Sequence, residues 1–212
     1  MRISELSAAS GVPIPTIKFY LREGLLAPGV KAGQTQAEYS EAHVRRLRLI
    51  RTLLEAGRMR VRDVRTVLRA LDDDEVGFHD LLGTAHHALG GSATAPGTPE
   101  ERDALAEVDR FVSRLGWNVS DEAPARHTLA RALFTLREFG YPADVRVFEP
   151  YARVADRLAA REISTISGRG PRADAVEAAV VGTVVFEAAL VALRRLAQEH
   201  HSARRFGGRR RR

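Results

Sequence analysis

The sequence predicts a mainly α-helical protein with one small β-hairpin near its start. Three observations predict it. Apolar residues recur at three- and four-residue spacing along most of the chain, the period of a helix face. Capping residues and glycines bracket those stretches, as at Ser40 and Gly57 or Thr98 and Gly116. Residues 27–39 break the pattern: Pro28, Gly29 and Gly33 forbid a long helix there and suggest a hairpin. No alternating strand pattern follows.

Composition bounds the function. The 212 residues are 44% hydrophobic and 28% charged, ordinary for a soluble globular protein. The absence of cysteine excludes disulfides, Fe–S clusters and thiolate metal sites. Residues 1–10 lack the apolar stretch of a signal peptide and contain Glu5. The most membrane-like run, 178–193, falls short of the ~20 apolar residues of a span and contains Glu187. The expectation is a cytoplasmic protein with no membrane partner. Charge is segregated: net +6 over residues 1–72, −6 over 73–200 and +6 over 201–212. A basic head points to a polyanionic partner.

The head reads as a chain of short helices. Ser4 can cap the first, with Glu5 in its first turn, Ile3, Leu6 and Ala9 on one face and Gly11 as its stop. A second helix starts near Pro15, a residue suited to a first turn, and closes at Gly24. Ile17 and Leu21 should face the first helix, which leaves Thr16, Lys18 and Arg22 projecting outward. Two short helices joined by a glycine-containing turn, the second with outward polar side chains, fit a helix-turn-helix, and the hairpin fits a wing. Ser40 caps a helix over 41–56, with Val44, Leu47, Ile50 and Leu54 inward and Arg45, Arg46, Arg48 and Arg51 on the remaining surface. A tight link, 58–61, carries Arg58 and Arg60. A helix over 62–71 follows, with Val64, Val67, Leu68 and Leu71 inward.

These residues carry a resemblance. Ile3-Ser4-Glu5-Leu6, Gly11-Val12, Thr16-Ile17-Lys18-Phe19-Tyr20, Glu23-Gly24-Leu25-Leu26, Tyr39-Ser40 and the core set Val44, Leu47 and Ile50, in that order, resemble the MerR family of bacterial transcription regulators. The resemblance covers residues 1–72. It implies a winged helix-turn-helix, a homodimer, contact with RNA polymerase at the promoter, and control by bending and untwisting DNA. Thr16, Lys18 and Tyr20 match the family's DNA-touching element. Lys18 stands where arginine is usual, and a lysine has less bidentate geometry for a guanine edge. Phe19 replaces a tyrosine. In the wing, Gln36-Ala37-Glu38-Tyr39 lacks the family's arginine, while Arg58 and Arg60 match the start of its second wing region. The candidate DNA-binding residues are Thr16, Lys18, Tyr20, Arg22, Gln36, Tyr39, Arg58 and Arg60, with Tyr39 equally readable as wing core. Contacts of this kind position phosphates more than they read bases.

Beyond the head, residues 73–90 read as a linking and dimerising helix, with Phe78, Leu82, Ala85 and Leu89 as a short apolar seam. The family places an antiparallel dimer coil in this region. Residues 91–99 are a linker. Residues 100–202 read as an all-α domain for dimerisation and candidate effector binding. It opens with a capping box at Thr98 and Glu101 and ends in a helix over 172–201. That last helix is apolar nearly all round in its middle, as a central helix or a dimer interface would be. Residues 203–212 form a basic tail.

Trp117, Tyr151 and Glu187 are the candidate residues for an organic small-molecule effector. Glu187 stands out because a carboxylate in an apolar run needs a partner, such as Arg131, Arg157 or a cationic ligand. The histidines lack metal-ligand spacing, and no nucleophile, phosphate loop or cofactor motif appears, so neither metal, cofactor nor enzyme activity is expected. The sequence therefore reads as a homodimeric transcription regulator on an inverted-repeat promoter site. An architectural DNA binder without an effector is the alternative.

Overall fold

The structure, a computed structural model, describes residues 1–31, 37–91, 96–166 and 172–207. Its elements are α1 (Ile3–Ser10), α2 (Ile14–Arg22), β1 (Val30–Lys31), β2 (Ala37–Glu38), α3 (Glu41–Glu55), α4 (Val61–Asp72), α5 (Phe78–Gly90), α6 (Pro99–Arg114), α7 (Pro124–Glu138), α8 (Glu149–Ile166) and α9 (Arg172–Phe206). A 3-10 turn, Val145–Phe148, precedes α8. Two compact units emerge. The head joins Met1–Arg69 to Glu177–Arg212, and the body is Ala70–Val176. The final helix thus folds largely with the head, whereas a division at residue 100 had assigned it to the C-terminal domain.

In the head, α1 starts without help from Ser4. The Glu5 carboxylate instead accepts the Arg2 N–H at 2.8 Å. Gly11 ends the helix in the left-handed region, φ 70°, and donates its N–H to the Ser7 carbonyl. Ser10 is buried and Ala9 exposed, so the inward face is Leu6 and Ser10. The hairpin pairs Val30 with Glu38 and Lys31 with Ala37, antiparallel. Two hydrogen bonds between Met1 and Tyr39, both 2.8 Å, tie the N-terminus to the end of this hairpin.

Helix α3 buries Val44, Leu47, Leu49, Ile50 and Leu53, while Leu54 is half-buried. Leu49 and Leu53 were not on the expected inward stripe. They are buried because α3 is covered on more than one side. It packs on α1, and α9 approaches its C-terminal end, where a Cβ added to Gly57 would lie 3.2 Å from Val184 Cγ1. Glu177 at the start of this segment pairs with Arg45 of α3 at 3.0 Å.

The body is centred on α6 and α7. Ala104, Val108, Phe111 and Val112 of α6 pack with Ala130 and Leu133 of α7, Val145 and Ala152. The capping box at the start of α6 forms: Glu101 donates its N–H to Thr98 Oγ1 at 3.2 Å, and its carboxylate accepts the N–H groups of Gly97 and Thr98. The Gly97 N–H is the largest cause of a lowered Glu101 pKa. Helix α7 starts at Pro124, and Arg126 folds back to donate to the Ser120 and Val119 carbonyls, holding the turn that precedes it. Of the seam expected on residues 78–89, Leu82 and Ala85 are buried, with Leu81 beside them, where α5 packs against α7, while Phe78 and Leu89 are half-buried.

Helices α8 and α9 are different. Ala152 is the buried residue of α8 among those described. In α9, Ala179, Val180 and Val184 are buried, and every residue from Val185 to Phe206 is exposed.

Candidate nucleic-acid interface

Helix α2 separates its side chains cleanly. Pro15 sits in the first turn, where a missing N–H costs nothing. Ile17 and Tyr20 turn inward, 0% and 7% exposed, while Pro15, Lys18 and Arg22 share the exposed face at three- and four-residue spacing. Thr16 lies half-buried at the edge of that face. The Arg22 guanidinium stands 5.6 Å from the Phe19 ring centroid, a cation–π contact that keeps it on the surface. The seam is Ile17 and Tyr20 rather than Ile17 and Leu21 because the chain turns back over Tyr20. Its carbonyl accepts the N–H of Leu25 at 2.9 Å and of Leu26 at 3.3 Å, and both leucines enter the core. Tyr20 therefore sits in the core more than on the DNA-facing side. Burial first, and then the Glu55 carboxylate, raises its phenol pKa, so the hydroxyl stays protonated.

Arginines hold the ends of α1 and α2 in place. Arg65 of α4 donates to the Glu23 carboxylate at 2.7 Å and to the Glu23 carbonyl at 3.1 Å, clamping the C-terminal end of α2. From α3, Arg46 donates to the Leu25 carbonyl at 3.1 Å, Arg48 to Ala9 at 3.1 Å and Arg51 to Ser10 at 3.4 Å. The carbonyls at the end of a helix lack intrahelical donors, and guanidinium groups satisfy them here. Sequence reading placed these arginines on a solvated surface and did not single out Arg65. The signal was available: Gly11 and Gly24 mark two helix ends that need donors.

Around the hairpin, Lys31 is exposed and Tyr39 is 8% exposed, with its ring edge-on to His43 at 5.2 Å. Tyr39 is wing core. Gln36 lies outside the described residues. In the α3–α4 link, Met59 is buried while Arg58 and Arg60 on either side are exposed. Arg58 adopts φ 50°, a conformation uncommon for a non-glycine residue, which lets Met59 turn inward.

Comparison with known proteins agrees with this geometry. The description MerR HTH family regulatory protein fits residues 1–71. The chain is also similar over its whole length, and over 100% of the other chain, to the crystal structure of SCO5550 from Streptomyces coelicolor A3(2), assigned there as a transcriptional regulator. The two share 40% identity and a TM-score of 0.74. The chain belongs to the MerR family. Among curated proteins nothing matches it. As a MerR-family protein it is a DNA-binding transcription regulator, and its exposed α2 face carries two of the basic side chains matched to the family's element or adjoining it.

The remaining expected site residues of this MerR-family regulator are scattered. In the body, Trp117 packs partly buried against the core, and its Nε1 donates to Asp156 at 3.1 Å. Tyr151 is exposed on α8. Glu187 is exposed on α9, in the head, so it is not the buried carboxylate its apolar run suggested. Arg131, one of its expected partners, pairs with Glu101 at 2.8 Å. An open groove in the body is lined by Leu136, Tyr141, Pro142, Ala143, Asp144, Arg146 and Val147, and does not include Trp117, Tyr151 or Glu187. Among the described residues, no three His, Asp or Glu side chains gather as metal ligands, and no helix is long and apolar enough to cross a membrane.

Proposed function

We propose that this regulator acts as a homodimer on an inverted-repeat promoter site, with Lys18 and Arg22 of each α2 facing the DNA. The observation that carries the reading is the division of α2 into a buried Ile17–Tyr20 side and an exposed Lys18–Arg22 side, held by the Arg65–Glu23 clamp. Arg58, Arg60 and Lys31 supply further exposed cations for phosphates. Thr16 offers a hydroxyl at the edge of the same face. With lysine at position 18 and alanine at position 37, specificity rests on the spacing of the two half-sites and on DNA deformability more than on a full set of base contacts.

Regulation follows from the same frame. RNA polymerase at the promoter is the partner that DNA bending and untwisting would serve. The body, with Trp117, Tyr151 and its open groove, is the region offered for an organic effector.

The test is capture of bound genomic DNA with the purified protein, followed by footprinting of the recovered promoter. Two symmetric protected half-sites are expected. Uniform protection without a preferred site would contradict promoter-specific regulation and point to an architectural DNA binder.

A further inference from the structure

We propose that the body binds a small organic anion with an apolar tail, in two hollows that meet at the Asp144–Arg146 pair. This rests on the reading of the body as the effector-binding region and names the ligand chemistry. One hollow is the groove of Leu136, Tyr141, Pro142, Ala143 and Val147, about 410 Å³. The other, about 430 Å³, is lined by Glu107, Arg110 and Arg114 of α6 with Val145 and Glu149. Asp144 and Arg146 line both. All of these residues belong to one compact unit. Each hollow falls in the size range of small-molecule sites.

Charge sets the head of the ligand. The α6 hollow has three arginines and three carboxylates in its lining. Each carboxylate already has a guanidinium. Glu107 takes Arg137 with both oxygens at 2.9 Å, Asp144 takes Arg146 at 2.6 Å and Glu149 takes Arg153 at 3.7 Å. Arg137 and Arg153 lie outside the lining, so the hollow keeps a surplus of positive charge. Among the described residues, Arg110 and Arg114 pair with no carboxylate. Both are exposed, and four-residue spacing puts them on one face of α6 a turn apart. Like charges at that spacing repel, and an anion between them removes the repulsion. The Arg114 guanidinium is held against the body, 5.9 Å from the centroid of the core residue Phe111. A carboxylate or phosphate head is the group that guanidinium forks fit.

The other hollow sets the tail. Tyr141 is 62% and Val147 44% exposed, and both line it beside Pro142. Apolar side chains left open together in this way mark an interaction surface. The walls are fixed in advance. Arg137 donates to the Ala143 carbonyl at 2.9 Å as well as to Glu107, which ties the loop of the tail hollow to the helix that carries Arg110 and Arg114. Asp144 caps the 3-10 turn by accepting the Arg146 N–H at 2.8 Å. The two hollows are thus held side by side before a ligand arrives, which lowers the ordering cost of binding.

Isothermal titration calorimetry of the full chain with decanoate and with decyl phosphate tests the site. At least one should bind, and the tighter of the two identifies the head as carboxylate or phosphate. Acetate, inorganic phosphate and decyltrimethylammonium should each bind about tenfold more weakly or worse. Arg110→Gln combined with Arg114→Gln should weaken the favoured probe at least about tenfold, and Tyr141→Ser about threefold. Arg102→Gln, an exposed arginine elsewhere on α6, should leave binding unchanged. All four side chains are exposed, so melting temperatures should stay the same. No binding of either decyl anion, equal binding of the cationic probe, or full binding by the double variant overturns the site and leaves the effector reading intact. Acetate or inorganic phosphate binding as tightly as the decyl anions overturns the apolar half. An equal loss in Arg102→Gln overturns the site in favour of bulk charge. Binding of a decyl anion with no change in promoter affinity overturns the effector reading and leaves the site standing.

Discussion

The head and the body both use arginine as a brace, but differ in charge. In the body, Arg126, Arg131, Arg137, Arg146 and Arg153 pair with carboxylates: Asp109 and Asp121, Glu101, Glu107, Asp144 and Glu149 respectively. Arg126 and Arg137 also donate to backbone carbonyls. In the head, Arg45 and Arg65 pair with Glu177 and Glu23, and Arg46, Arg48 and Arg51 donate to the carbonyls of Leu25, Ala9 and Ser10. The same side chain thus braces both units. What separates them is composition: residues 1–72 carry net +6 and residues 73–200 net −6. An excess of cations over carboxylates leaves the head suited to a polyanion, and the body lacks that excess.

Substitutions should separate the roles of the two units. The largest effect on stability is expected at Arg126, which is 7% exposed, donates to two carbonyls and pairs with Asp109 at 2.9 Å. Arg126→Ala should destabilise the body by about 3 kcal/mol, since it strands buried acceptors. Denaturant titration checks this, and the DNA affinity of the folded fraction should be unchanged. Arg65→Ala should cost about 1–2 kcal/mol by releasing the end of α2. Unlike Arg126→Ala, it should also weaken DNA binding, measured by fluorescence anisotropy. Thr98→Ala removes the side-chain cap of α6 and should cost about 1 kcal/mol, with no change in DNA affinity.

The smallest effect concerns pH. The folded-state pKa of Tyr20 is raised above its ordinary 10.0. Its contribution to stability is therefore complete below the unfolded pKa and is lost as pH rises through the folded one. Tyr20→Phe should remove that alkaline slope from a series of thermal melts above pH 9. The same melts should leave the neutral-pH stability nearly unaltered.

Much of the head was legible because each signal is local. Gly11, Pro15, Gly24, Ser40 and Gly57 mark helix ends, and the Thr98–Glu101 box marks the start of α6. What was not legible depends on which element covers which. Leu53 was not among the residues read as inward, and its burial goes with Val184, some 130 residues later, lying beside Gly57. Glu187 looked buried because its neighbours are apolar, yet in one chain those neighbours are themselves exposed. Along residues 78–89 periodicity shows an apolar face without saying whose surface meets it, and α7 meets part of it. For the site, Lys18 and Arg22 were legible from helix phase. The inward turn of Tyr20 was not, because it is set by the return of Leu25 and Leu26 over its carbonyl. Nor was the clamp from Arg65, a residue 42 positions away from Glu23.

The claim at the centre of this account is that the Lys18–Arg22 face meets DNA. The most direct test is the salt dependence of promoter binding for wild type and for a Lys18→Ala, Arg22→Ala double variant. Each phosphate contact contributes a slope of about 0.9 in log affinity against log salt, so for the proposed dimer, with four such residues, the slope should fall by roughly 3–4. Affinity should drop at low salt while the melting temperature stays the same. An unchanged slope and affinity in a folded double variant would contradict the account.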